Sequence, residues 1–247
     1  MKIKITIVKI GYLSHLVNFE KIKKWKSDIF DIIQIQNVEY LQDSEMYDEY
    51  LDQKFTREGL QKLFSCPKDS DFAVAIIPYR FIDNFYIHRI GKNRVGISLY
   101  GISEILETEN ISLENFIIKQ LYQICALSLI VNTANDEAYS IVHRDTRGCL
   151  FDMNGNKTDI LYNTEKPIIC NSCREIFKRK QIAQEFISIL DKELKKIRKP
   201  VILKIERNIK KYPFVSIIIS AFIAVIISYV FDILSSIITI LIERCFK

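Results

Sequence analysis

The chain has 247 residues, 49% of them apolar, and 35 Lys/Arg against 30 Asp/Glu give a formal charge of +5. That length holds one sizeable domain plus an appendage, and the excess charge is local, because nine Lys/Arg fall between Lys192 and Lys211. Six irregularly spaced cysteines exclude a secreted disulfide framework and point to a reducing compartment, and the seven glycines fit neither a phosphate loop nor a dinucleotide fingerprint.

Residues 2–10, KIKITIVKI, alternate apolar and charged side chains, which predicts a strand and not a signal peptide. Gly11 ends it. Leu13, Leu16, Val17, Phe19, Ile22 and Trp25 recur at helical spacing, and a second strand is expected at Ile32–Tyr40, so the chain opens with a β-α-β unit whose strands lie parallel. Residues 41–55 are acidic and read as a surface loop. Thr56 caps a short helix that ends before Pro67. Phe72–Ile77, FAVAII, is uncharged and reads as a central strand, and Phe85–Ile90 and Val95–Tyr100 around Gly91-Lys92-Asn93 read as an edge hairpin.

The segment Leu113–Val131 carries apolar residues on nearly every side, which predicts a helix buried at the domain centre. At about 19 residues, with Glu114 and Lys119 inside, it does not read as a membrane span. Its Cys125 has an apolar setting and reads as a structural thiol. His143, Cys149, Cys170 and Cys173 follow, separated by five, twenty and two residues. A thiolate pair two residues apart grips a metal from one turn, and a distant His/Cys pair completes a tetrahedron, so these four residues are candidate ligands of a structural zinc ion. A reduced pair in a packed turn is the alternative. Glu175–Leu194 is expected to be one amphipathic helix, broken by Pro200 and followed by a basic connector at Lys204–Lys211.

This order of parts, with ITIVKIG at the start and CLFDM…ICNSC before the last helix, resembles the archaemetzincins. Those are small metzincin-type zinc proteases in which a catalytic helix bearing HExxHxxGxxH precedes a four-cysteine structural zinc site. The resemblance covers about residues 1–178. It implies an α/β (α+β), zincin-like fold with a mixed sheet, a buried central helix and a structural zinc site. Where the family carries HExxH, this chain has Tyr122-Gln123-Ile124-Cys125-Ala126. No imidazole pair remains to hold a catalytic metal, and an amide at Gln123 cannot accept a proton from zinc-bound water. No catalytic residue is therefore assigned. The family's first structural cysteine is also missing, and His143 lies near its place, giving a Cys3His set.

Phe214–Phe231 is 18 residues without a charge, and the apolar stretch continues past Asp232 to Ile242. At 1.5 Å per residue the whole stretch is about 43 Å, against about 30 Å of hydrocarbon, which predicts a single tilted transmembrane helix over 212–243. The nine preceding Lys/Arg place the N-terminal domain in the cytoplasm, at a bacterial inner membrane, with the connector at 179–211 attracted to anionic lipid rather than to nucleic acid. Asp232 reads either as an interfacial acid or as the polar centre of a bundle that self-associates through Ser216, Ser220, Ser228, Ser235 and Ser236.

His88, Arg89, Lys92 and Arg94 are candidates for a small anionic or nucleotide ligand, although such a hairpin is more often a charge-protected edge strand. The expected function is that of a membrane-anchored, catalytically inactive sensing or interaction domain. Such a domain fits an oligomerising, membrane-perturbing effector like those of bacterial antiviral defence. The alternative is a membrane-tethered, metal-dependent hydrolase with an unrecognised ligand set.

Overall fold

The computed structural model describes residues 2–38, 54–131, 141–198, 209 and 211–245, with helix backbone alone from 236. Two compact units, Met1–Arg198 and Lys199–Lys247, divide the chain.

The first unit is an α/β domain on a mixed five-stranded sheet of order β2-β1-β4-β7-β6. Strands β1 (Ile3–Ile10), β2 (Phe30–Val38), β4 (Phe72–Ile77) and β7 (Arg94–Ser98) run parallel, and β6 (Ile87–Arg89) closes one edge antiparallel to β7. The period of two sorts their side chains. Ile5, Ile7, Val74, Ile76, Val95 and Ile97 join the larger core, whereas Val8, Ile10, Ala73, Ala75 and Ile77 join a smaller one with Leu60 and Phe81. The smaller core is covered by α2 (Arg57–Leu63) and a two-strand ribbon of β3 (Lys54–Phe55) and β5 (Arg80–Phe81). Gly96 permits this closeness: a Cβ there would lie 2.6 Å from Leu60 Cδ2 and 2.9 Å from Ile90 Cδ1.

On the other face, α4 (Leu113–Ile130) packs with α1 (Phe19–Lys23), α3 (Ile102–Thr108) and α5 (Ile160–Thr164). Sixteen of the 18 α4 residues are buried, as its all-round apolar character predicts. Ser112 caps it by accepting from the Asn115 N–H, and Thr56 caps α2 through the Gly59 N–H. The last helices of this unit are α6 (Asn171–Arg179) and α7 (Gln184–Leu194).

Three expectations need correction. The helix expected from Leu13 to Trp25 is only Phe19–Lys23, because Asn18 caps at Lys21 N–H while its own N–H donates to Glu114 Oε1 at 2.8 Å. The helix expected over Glu175–Leu194 is two, separated where Gln181 takes φ +56°. Residues 179–198 belong to the compact unit and not to a connector: Ile187, Leu190, Leu194 and Ile197 are buried in the larger core. Of the expected loop at 41–55, only β3 falls among the described residues. The break at Pro200 and most of the connector lie outside them.

The second unit contributes α8 (Pro213–Cys245). Its described side chains are exposed except the half-buried Ser216, with Phe214 at 80% and Phe231 at 72%. Pro213–Ser235 is long and apolar enough to cross a membrane, 23 residues or about 35 Å.

Candidate metal centre

His143 lies on a short bridge, its N–H donating to Phe151 O and its carbonyl accepting from Met153 N–H. The chain then turns at Gly148, whose φ of +71° suits glycine, and presents Cys149 beneath a second bridge to Ile168. Asp152 holds this turn shut: its Oδ2 accepts from the N–H groups of Arg147 (2.9 Å) and Cys149 (2.8 Å). Asn163 on α5 donates to Cys149 O at 3.1 Å. Cys170 is the N-cap residue of α6 and Cys173 sits in its first turn, so the pair faces the loop from one helix start. Arg174 ties that helix to α7 through a two-pronged pair with Asp191 at 2.7 and 2.8 Å.

The four ligand atoms lie within 4.8 Å of one another, as the spacing predicts. Cys149 Sγ and Cys173 Sγ are 3.9 Å apart, close to the edge of about 3.8 Å for two thiolates on tetrahedral zinc. His143 Nε2 is 3.1 Å from Cys170 Sγ and from Cys173 Sγ, about half an ångström inside the tetrahedral edge, so a small outward shift of the ring seats an ion. A Cys3His donor set with two buried sulfurs fits structural zinc. The thiols also act on one another. The hydrogen bond from Cys173 lowers the Cys149 pKa to about 5, against burial and with help from the Phe151 and Cys170 N–H groups, while the Cys173 pKa is driven up by the neighbouring sulfur. Thiolates packed this closely cannot all ionise without a positive charge between them.

Lys119 of α4 is fully buried beneath this centre, its Nζ 3.0 Å from Asn163 Oδ1. Burial pulls its pKa down to about 7, opposed by the charges of Asp152 and Cys149. Three thiolates and a neutral imidazole on Zn2+ carry a net charge of about −1, which the Lys119 ammonium complements.

No protein-family profile and no curated protein matches the sequence. A structural similarity exists to the crystal structure of archaemetzincin from Methanopyrus kandleri, at 11% identity and TM-score 0.45 over 74% of this chain and 97% of that one.

On α4, Tyr122 and Gln123 have separate fates. Tyr122 is buried: its hydroxyl accepts from Trp25 Nε1–H at 2.8 Å and donates to Glu193 Oε2 at 2.9 Å. Burial and the Glu193 charge raise its pKa. Glu193 also accepts from Ser27 Oγ–H (2.6 Å) and Asp28 N–H (2.9 Å). Burial pushes that carboxyl up, and these donors with Lys196 outweigh it, so its pKa ends low. Gln123 instead lines a cavity of about 40 Å³ with Tyr86, Ile87, Arg89, Leu127 and Met153, enough for about one or two waters. Gln123 Oε1 and Asp152 Oδ1 have no hydrogen-bond partner among the described residues. Cys125 is buried, and burial raises its thiol pKa, as expected of a structural residue.

The four proposed anion ligands are not brought together. Adjacent residues of a strand point to opposite faces. His88 lies under Phe81, 4.6 Å between ring centroids, and bonds Asp83 at 2.9 Å, with burial lowering its pKa. Arg89 lines the α4 cavity, Arg94 donates to Gln61 O in α2 and to Phe64 O just after it, and Lys92 is exposed in the turn.

The Trp25–Tyr122–Glu193 network was not legible as a site from spacing. Glu193 did leave a trace, falling between Leu190 and Leu194 on the apolar face of its helix.

Proposed function

We propose that the chain is a non-catalytic, archaemetzincin-like domain braced by structural zinc and carried on one membrane span. The domain lies on the cytoplasmic side of a bacterial inner membrane. The observation that carries the reading is the Tyr122 hydroxyl, held between Trp25 and Glu193 in the interior. The position where the resemblance calls for a zinc-binding histidine is thus spent on joining α4 to α7. Gln123 beside it is no base. The Cys3His centre supplies all four corners of a tetrahedron from protein, whereas catalytic zinc keeps one corner for water.

The role left to such a domain is recognition. The cavity at Gln123 and Asp152 is the natural receptor for a small hydrogen-bonding group, and α8 is the output, self-associating in the bilayer and perturbing it as defence effectors do. Bundling places Asp232 toward the bundle centre, since an acid facing lipid costs about 2.5–3.5 kcal/mol.

Metal counting tests the first part. One zinc per chain, lost in Cys170→Ser and accompanied by no hydrolysis of peptide substrates, is expected. A second, exchangeable metal together with peptidase activity would establish the tethered hydrolase instead. Dye release from liposomes tests the output: Asp232→Leu is expected to abolish it, and unchanged release removes the bundle.

A further inference from the structure

The compact unit carries a strongly basic depression that takes no part in the metal centre. Lys21, Lys24, Lys26 and Lys196 line it with Asn18 and Trp25, and one acid, Glu20, joins them. It is broad and open to solvent, a surface for a group that arrives from outside and not an enclosed cavity. The walls come from the end of α1 and from the turn after α7, and the Glu193 carboxylate fastens both. It binds Ser27 and Asp28 on one side, and Lys196 Nζ lies 3.3 Å from it on the other. Trp25 is pinned by its hydrogen bond to Tyr122 and forms a fixed, half-buried wall.

The charges are unequally satisfied. Lys21 Nζ lies 3.4 Å from Glu114 Oε2, and Lys196 is paired with Glu193. Lys24 and Lys26 are exposed, with no ion pair among the described residues. Two free ammonium groups beside two partly neutralised ones, on flexible stems around an indole, suit a phosphodiester that approaches from an interface. Tryptophan and lysine are also the side chains that settle at the headgroup level of a bilayer.

Chain connectivity selects the source of that phosphate. Lys196 is two residues from Arg198, the end of the compact unit, and residues 199–212 alone separate that unit from α8. A tether of that length reaches at most about 50 Å. It holds the domain at a high effective concentration against the membrane, so weak headgroup contacts suffice. We infer that this depression is a docking site for the phosphate headgroups of anionic phospholipids in the membrane that α8 enters. The inference rests on α8 being a membrane span.

Trp25 is the only tryptophan of the chain, so its fluorescence reports on the depression directly. The full chain is reconstituted in nanodiscs of phosphatidylcholine, alone or with phosphatidylglycerol, and quenched with neutral acrylamide. Phosphatidylglycerol is expected to reduce quenching severalfold. Lys24→Glu with Lys26→Glu removes that protection, while Lys62→Glu with Lys92→Glu, an equal charge change at exposed positions elsewhere, retains it. Equal quenching in both discs overturns the inference. Loss of protection in both double variants also overturns it, leaving net-charge attraction alone. Protection by inorganic phosphate in phosphatidylcholine discs, with none from phosphatidylglycerol, assigns the site to a soluble anion and overturns the lipid. A chain that does not enter discs at all removes the membrane reading and this inference together, whereas entry without protection removes only the inference.

Discussion

Helices α4 and α8 are both long and apolar on every side, yet α4 is buried in protein and the described side chains of α8, Ser216 apart, are exposed. The difference lies in their polar groups. Helix α4 carries Glu114, Asn115 and Lys119, each with a fixed partner: Asn18 N–H, Arg198 O and Asn163 Oδ1. Packing partners answer those three, whereas the buried Gln120 amide and Gln123 Oε1 of the same helix have no hydrogen-bond partner among the described residues. In α8, Ser216, Ser220 and Ser235 return their hydroxyls to carbonyls of their own helix, at Tyr212, Ile217 and Asp232. Hydroxyls that bond within their own helix suit a solvent that offers no partners, and Asp232 is the acid of Pro213–Ser235 that such bonds leave to be accommodated.

The largest break in this comparison should come from the metal centre, which is joined to Lys119 of α4 through Asn163. Cys173→Ser removes a ligand from a site type worth on the order of 10 kcal/mol in small zinc domains. Zinc per chain, read by mass spectrometry of the metal, should fall from one to near zero. The amide protection of the α4 turn around Lys119 should fall with it.

A charge in the other helix is the converse test. Ile226→Arg should weaken insertion by about 2.5–3.5 kcal/mol, moving the chain from the carbonate-resistant membrane fraction toward the soluble one. The same substitution should leave zinc content unchanged, because unit 1 folds around its own core.

Next in size is the link between α4 and α7. Glu193→Gln leaves donors from Ser27, Asp28 and Tyr122 facing a weaker acceptor and should cost about 1–3 kcal/mol in urea unfolding. The sign with pH follows from its lowered pKa. A carboxylate held below its unfolded value near 4.3 contributes stability that is complete above that pH and is lost as pH falls through the folded value. The wild type should thus lose more stability than Glu193→Gln on acidification below about pH 4.3.

The smallest effect is expected at Lys119. Lys119→Met removes a buried ammonium and leaves Asn163 Oδ1 unpaired, two changes of opposite sign, so stability should stay within about 1 kcal/mol of wild type. A large loss would mean that the ammonium balances the thiolate charge more strongly than its single hydrogen bond implies.

Much of this was legible in the sequence. The uncharged FAVAII run became the central strand β4, Ser112 and Thr56 capped the helices they precede, and the His143–Cys173 spacing gathered four ligand atoms in one place. Periodicity and caps rest on local chemistry over a few residues or one turn, and the ligand set is legible because Cys170 and Cys173 are two residues apart and only the His143/Cys149 half must come from a distance. Less local features escaped. Apolar periodicity from Leu13 to Trp25 and from Glu175 to Leu194 predicted unbroken helices, but Asn18 and Gln181 stopped them through a bond to Glu114 and a left-handed turn.

The sequence by itself pointed to the fold class through its order of parts and its family resemblance, and to the four candidate metal ligands and the apolar helix through residue type and spacing. Only the tertiary structure decided the role of Tyr122, the reach of the compact unit to Arg198 and the scattering of His88, Arg89, Lys92 and Arg94. Tyr122 meets a carboxylate 71 positions away. Such contacts are set by how helices pack across a sheet, which leaves only a faint trace in the order of residues along any one of them.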